Sequence, residues 1–200
     1  MTADRPHSSS RRPTRAAYRV IAASKVLEVR AAGYTLHAEL QDGLWCPALS
    51  LRDGEALVTW TGIADGVGGH PFRRTYLVRA DERAFELRFE TDFGASCRLR
   101  GEAAQNTVRI ALCNDASLAD ASLALVAALR GGSRVASAEE VAWDSCRLRV
   151  RAGLGTVTID RERLVLARGA NVREIASDAP LGTGYCFAEM DVEVAPADST

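Results

Sequence analysis

The chain has 200 residues, 47% of them hydrophobic, 26% charged and 6% aromatic, and its 25 Lys+Arg against 26 Asp+Glu leave a net charge of -1. Charge this balanced is unlike a general nucleic-acid binder, which carries a strong basic excess, and the apolar content excludes a wholly disordered chain. No apolar run approaches the ~18 residues of a membrane-spanning helix, so neither nucleic acid nor membrane is an expected partner, and a chain of this size builds a core without disulfides or metal.

Residues 1–15 are rich in Ser, Pro, Thr and Arg and lack apolar periodicity, so a disordered tail is expected there. Ser10-Arg11-Arg12 has the outline of a twin-arginine export start. However, Pro13 follows it, and the apolar stretch Ala16 to Ser24 is broken by Arg19, short of the ~7–15 clean apolar residues such a signal needs. The five cysteines (Cys46, Cys97, Cys113, Cys146 and Cys186) are odd in number and widely spaced, with no C-x-x-C pair. That spacing excludes a cysteine zinc ribbon and points to small buried thiols in a reducing cytoplasm.

From residue 16 to 195 the dominant period is two, which predicts a single all-β domain. Phe85-Glu86-Leu87-Arg88-Phe89-Glu90, Val108-Arg109-Ile110-Ala111-Leu112 and Cys146-Arg147-Leu148-Arg149-Val150-Arg151 all alternate. Such alternation sets the apolar side chains on one strand face and the charges on the other. Further strands are predicted over Lys25–Ala31, Tyr34–Leu40, Ala56–Thr61, Thr75–Ala80, Ser96–Arg100, Thr156–Asp160, Arg163–Ala167 and Tyr185–Val194. Turn signals such as Ala32-Gly33, Asp53-Gly54, Phe93-Gly94 and Ala152-Gly153 separate them. Short strands punctuated this often predict an antiparallel β-sandwich or barrel, with a jelly-roll-like arrangement among the options. One segment dissents. Asp115 to Arg130 opens on an N-cap residue, spaces Leu118, Ala121, Leu125 and Leu129 near the helical period and ends at Gly131-Gly132, which predicts one short helix near 115–130. Leu123 and Leu125 also alternate with small residues, as a strand would. Ser137 and Glu140 fit the capping box of a second short helix over Ser137–Trp143. A short polar end is expected over 196–200.

Of the 25 basic residues only Lys25 is a lysine. Planar arginine forks suit carboxylates on neighbouring strands, so the Arg/Glu faces read as wetted sheet surface laced with ion pairs.

Candidate chemistry gathers at two histidines. Alternation puts Thr35, His37 and Glu39 on one face, and a carboxylate beside an imidazole is the start of an acid–base pair. His70 closes a segment crowded with Gly62, Gly66, Gly68 and Gly69 and ended by Pro71. Across that loop Asp65 can meet His70, and Arg73 and Arg74 follow to bind an anionic group. The segment is no phosphate loop, because Thr75-Tyr76-Leu77-Val78 reads as strand rather than as a helix N-terminus. Trp45, Trp60 and Trp143 are candidate stacking residues for a sugar or flat ligand, although Trp60 shares a strand face with Val58, as a core residue would, and Tyr76, after the loop, is a further candidate ligand contact. No paired-histidine or calcium-loop spacing occurs, so neither metal nor cofactor is expected.

The expected function is small-molecule or carbohydrate binding by a cavity or end loops, with Trp60, Arg73, Arg74 and Tyr76 as ligand contacts. One alternative is a cofactor-free cyclase, isomerase or lyase using His70 with Asp65, or His37 with Glu39. The other is a structural or assembly subunit. Sheet edges or an apolar face offer a route to a homodimer.

Overall fold

The structure is a computed structural model that describes residues 26–31, 33–41, 44–50, 55–81, 83–102, 105–114, 122–168, 173–175 and 184–197. The expectations for the tail 1–15, for Ala16 to Ser24 and for 115–121 lie outside the described residues. In chain order the strands are β1 (Val26–Arg30), β2 (Thr35–Gln41), β3 (Leu44–Ser50), β4 (Ala56–Ala64), β5 (Gly69–Pro71), β6 (Arg74–Ala80), β7 (Ala84–Glu90), β8 (Ala95–Glu102) and β9 (Thr107–Asn114). They continue as β10 (Ala124–Leu129), β11 (Arg134–Ser137), β12 (Glu140–Ala142), β13 (Cys146–Leu154), β14 (Thr156–Ile159), β15 (Arg163–Ala167), β16 (Arg173–Ile175) and β17 (Gly184–Pro196).

These strands form two sheets packed face to face as a β-sandwich. Sheet A runs β1-β2-β3-β4-β10-β15-β14, with β5 also on β4; sheet B runs β11-β12-β13-β17-β9-β8-β7-β6, with β16 also on β17. Every pairing among the described residues is antiparallel. The predicted alternation sets the inward face of β7, β9 and β13. Phe85, Leu87 and Phe89 of β7, Val108, Ile110 and Leu112 of β9, and Cys146, Leu148 and Val150 of β13 all enter one core with Leu36, Ala38, Leu164 and Leu166 of sheet A. The charged residues between them point outward, because successive side chains in a strand face opposite sides.

Register shifts interrupt this phase at six places among the described strands, and three of them let the core take residues that strict alternation would expel. In β4, Leu49 faces Val58 while Ser50 faces Ala56, so Leu57 is the extra residue and Leu57 and Val58 are both buried. Further along β4, Ala127 faces Trp60 while Leu125 faces Ile63. The added residue brings Trp60 and Ile63 to the same interior despite their odd spacing. In β17 the shift between Cys186 and Ala188 turns Phe187 and Ala188 inward together. In β6, Val78 is the extra residue between Leu77 and Arg79, and it is exposed on the edge of sheet B.

The helix expected near 115–130 is corrected where the structure describes that segment: Ala124–Leu129 is β10, a central strand of sheet A between β4 and β15. Leu123, Leu125, Ala127 and Leu129 are buried and the residues between them are less so, which is strand alternation. Two flanking strands satisfy its backbone on both sides, and Ala127 leaves room for Trp60 directly opposite. Tertiary pairing outweighs the mild helix propensity of Ala and Leu here. The second expected helix is corrected too. Ser137 ends β11 and Glu140 begins β12, with Ala138 and Glu139 as the turn. The Ser137 hydroxyl accepts the Glu139 N–H at 3.1 Å, so it caps a hairpin turn instead of a helix.

Between β5 and β6 the chain passes from one sheet to the other through Phe72. Its ring is fully buried, 5.4 Å from that of Phe89, while the flanking N–H groups of Phe72 and Arg73 donate to Thr61 and Glu90 on opposite sheets. Leu125→Ala should cost about 2–5 kcal/mol, the usual loss for a leucine truncated in a packed core. Equilibrium urea unfolding measures it, and a loss below ~1 kcal/mol would contradict a central β10.

Candidate functional site

At one end of the sandwich the β4–β5 hairpin meets the β7–β8 hairpin. Its construction starts with Asp65, whose N–H donates to the Gly68 carbonyl at 2.9 Å. One carboxylate oxygen, Oδ1, accepts the Val67 and Gly68 N–H groups at 2.7 and 2.8 Å. The other, Oδ2, accepts from His70 Nε2 at 2.8 Å. An ionised carboxylate only accepts, so the proton lies on Nε2 and Nδ1 is the basic nitrogen of the neutral ring. Gly62 is required beside it: a Cβ there would overlap the His70 carbonyl, because β5 lies hard against β4. The backbone N–H bonds, with His70 third, hold the Asp65 carboxyl down at about 2, against an ordinary 3.8.

The second hairpin supplies the neighbours. Phe93, in the turn after β7, places its ring 4.3 Å from the His70 ring, and Asp92 pairs with Arg73 at 3.2 Å. The His70 side chain is 38% exposed, so the pair is reachable from solvent. Chemically, this is an oriented imidazole with one nitrogen fixed and one open to a ligand proton.

The same turn recurs without a histidine. Asp81 accepts the Arg83 and Ala84 N–H groups at 2.8 and 2.9 Å, and Arg79 Nε donates to its other oxygen at 2.6 Å. Its carboxyl is likewise held down at about 2, chiefly by those two backbone N–H groups. Asp160 accepts the Glu162 and Arg163 N–H groups at 2.9 and 2.7 Å. Part of what His70 and Asp65 do is therefore what an arginine does elsewhere, which is to brace a hairpin.

The other residues singled out in the sequence are dispersed. Trp60 is fully buried in the core and does not reach the His70 end as a surface for stacking. Arg74 and Tyr76 are exposed on β6, opposite Glu90 and Arg88 of β7. Glu28 faces His37 across β1–β2, with Oε2 3.9 Å from Nδ1, and Glu28 also accepts from Arg30 at 2.5 Å. The side chain of Glu39 lies outside the described residues.

A second concave feature was not singled out in the sequence. On the outer face of sheet B, β9, β12, β13 and β17 form an open groove of about 360 Å³. Ser137, Glu139, Glu140, Arg149, Arg151, Asp191, Glu193 and Thr107 supply its polar lining. Arg149 Nε donates to Glu140 at 2.9 Å, and Arg109 Nε to Asp191 at 2.8 Å. The signal was partly present in the sequence: alternation sets Arg149 and Arg151 on one face and Asp191 and Glu193 on one face. Only the pairing of β13 with β17 puts the two sets together. Among the described residues no three His, Cys, Asp or Glu side chains are arranged to hold a metal ion. No protein family, no curated protein and no solved structure matches the chain.

The Asp65 pair carries a pH signature. Its folded-state carboxyl lies below the unfolded one, so the ionised form stabilises the fold above pH ~4 and that contribution is lost as pH falls through about 2. Asp65→Asn keeps the oxygen that accepts the two N–H groups but removes the charge. Thermal unfolding of this variant should fall less steeply than the parent between pH ~4 and about 2. An unchanged acid limb would mean that the Asp65 carboxyl is not held below its ordinary value in solution.

Proposed function

We propose that the protein is a binding module for a small, hydroxyl-rich ligand of the carbohydrate class, held in the groove on the outer face of sheet B. One observation carries the reading: this concavity falls within the ~300–1,000 Å³ range of small-ligand sites and mixes fixed donors and acceptors along one wall. Arginine forks, carboxylates and hydroxyls at strand spacing match adjacent hydroxyls, each of which donates and accepts. The ion pairs Arg149–Glu140, between β13 and β12, and Arg109–Asp191, between β9 and β17, hold part of this wall in place before a ligand arrives, which lowers the ordering cost of binding.

An assembly role finds less support. The large apolar side chains exposed among the described residues, Val67, Tyr76, Val78 and Val135, do not gather into an extensive patch. Only Tyr76 and Val78 share a strand, whereas association surfaces are contiguous. A second reading rests on the exposed His70–Asp65 pair, as an acid–base or ligand-binding group at the sandwich end; Phe93 and Arg73 would flank the bound molecule.

The two readings separate in one experiment. Neutral mono- and oligosaccharides titrated to millimolar concentration should shift backbone amide resonances of β13 and β17 first. Glu193→Gln and Arg151→Gln should each weaken that binding about tenfold, with stability changed by less than ~0.5 kcal/mol. Shifts centred on Gly69–Phe72 and Phe93 and abolished by His70→Gln would favour the sandwich end. No saccharide response at either place would defeat the carbohydrate assignment.

A further inference from the structure

Over most of the outer face of sheet B, arginines meet carboxylates on their own or a neighbouring strand. Arg100 pairs with Glu86 at 2.9 Å, Arg109 with Asp191 at 2.8 Å and Arg149 with Glu140 at 2.9 Å. The exception lies where β7, β8 and β9 run side by side. Arg88 faces Arg98 directly across β7–β8, and Glu90 faces Ser96. Arg98 is only 5% exposed, and its Nε is buried with no hydrogen-bond partner among the described residues. Ser96 is 1% exposed and its Oγ is equally without a partner. Arg88 gives one guanidinium nitrogen to Glu90 at 2.9 Å, yet its Nε is also buried and unmatched.

Arg88 and Arg98 thus face each other across β7–β8 with Glu90 paired to Arg88, and three donors on these strands, Arg88 Nε, Ser96 Oγ and Arg98 Nε, have no hydrogen-bond partner among the described residues. An uncompensated buried charge is costly, and unmatched buried donors in a folded protein call for a bound water or ion. Every donor here is of the kind that recognises oxyanions, and guanidinium forks in particular match the geometry of carboxylate and phosphate oxygens. The neighbouring Ala111 and Cys113 of β9 add no charge to offset them.

We propose that Arg88, Ser96 and Arg98 form an oxyanion-binding site on the outer face of sheet B, which takes the carboxylate or phosphate group of a small ligand. The site is distinct from the groove over β12, β13 and β17, shares no lining residue with it, and stands whether or not that groove binds saccharides.

Thermal unfolding of the full chain in phosphate, sulfate or acetate, each against chloride at equal ionic strength, tests it. At least one oxyanion should raise the melting temperature with saturable dependence on concentration. Phosphate and sulfate acting without acetate would assign a tetrahedral group, and acetate acting alone a carboxylate. Arg98→Gln should weaken the apparent affinity about ten- to a hundred-fold, the loss expected for a charged hydrogen bond, while Arg100→Gln on the same face leaves it unchanged. Should Arg98→Gln fail to fold, Ser96→Ala serves in its place and should weaken binding with the charges intact. The proposal is overturned if no oxyanion exceeds chloride, or if the effect survives both Arg98→Gln and Ser96→Ala.

Discussion

The structure depends on two sheets each turning one face into a shared dry interior. An alternating strand can bury half its side chains only if a second sheet covers that face, and neither sheet has a core without the other. Each fully buried Leu, Ile, Val or Phe contributes roughly 1.5–3 kcal/mol, so β7, β9 and β13 alone place on this packing a contribution at least comparable to the net stability of a domain. The chain crosses between the sheets at a buried ring and at a glycine turn. Phe72 holds the β5–β6 corner, and Gly155, with φ 86°, makes the short passage from β13 in sheet B to β14 in sheet A.

Where packing and alternation disagree, packing prevails, and the backbone adjusts by one residue. The two shifts in β4 are the clearest case. They bring Leu57 with Val58, and Trp60 with Ile63, into the interior and turn Thr61 outward. Two residues beyond Ile63 the chain reaches Asp65, which meets His70 across the β4–β5 hairpin.

The outer faces follow a different physics. Charges there remain wetted, and exposed pairs such as Arg109 with Asp191 contribute little to stability. Their effect is geometric: they hold a set of donors and acceptors at strand spacing. The few buried polar groups that lack such partners, Arg98 and Ser96 among them, mark where the surface departs from self-neutralisation.

Much of this protein was settled by its amino-acid order alone. The period of two fixed the strand class, and β1, β2, β6 to β9, β13 to β15 and β17 lie where alternation and turn residues place them, because the side-chain direction of a strand is a local property. The inward set of β7 and the Asp65–His70 meeting were legible for the same reason, since each spans only a few residues. Tertiary structure decided the rest. It made Ala124–Leu129 a strand because β4 and β15 offered pairing on both sides, took Trp60 into the core opposite Ala127, and set Glu28 across from His37. It also built the groove from Glu140, Arg149, Asp191 and Glu193, and set Arg88 against Arg98. Each of these joins residues through strand register, and register is fixed only when two distant segments bury their apolar faces together.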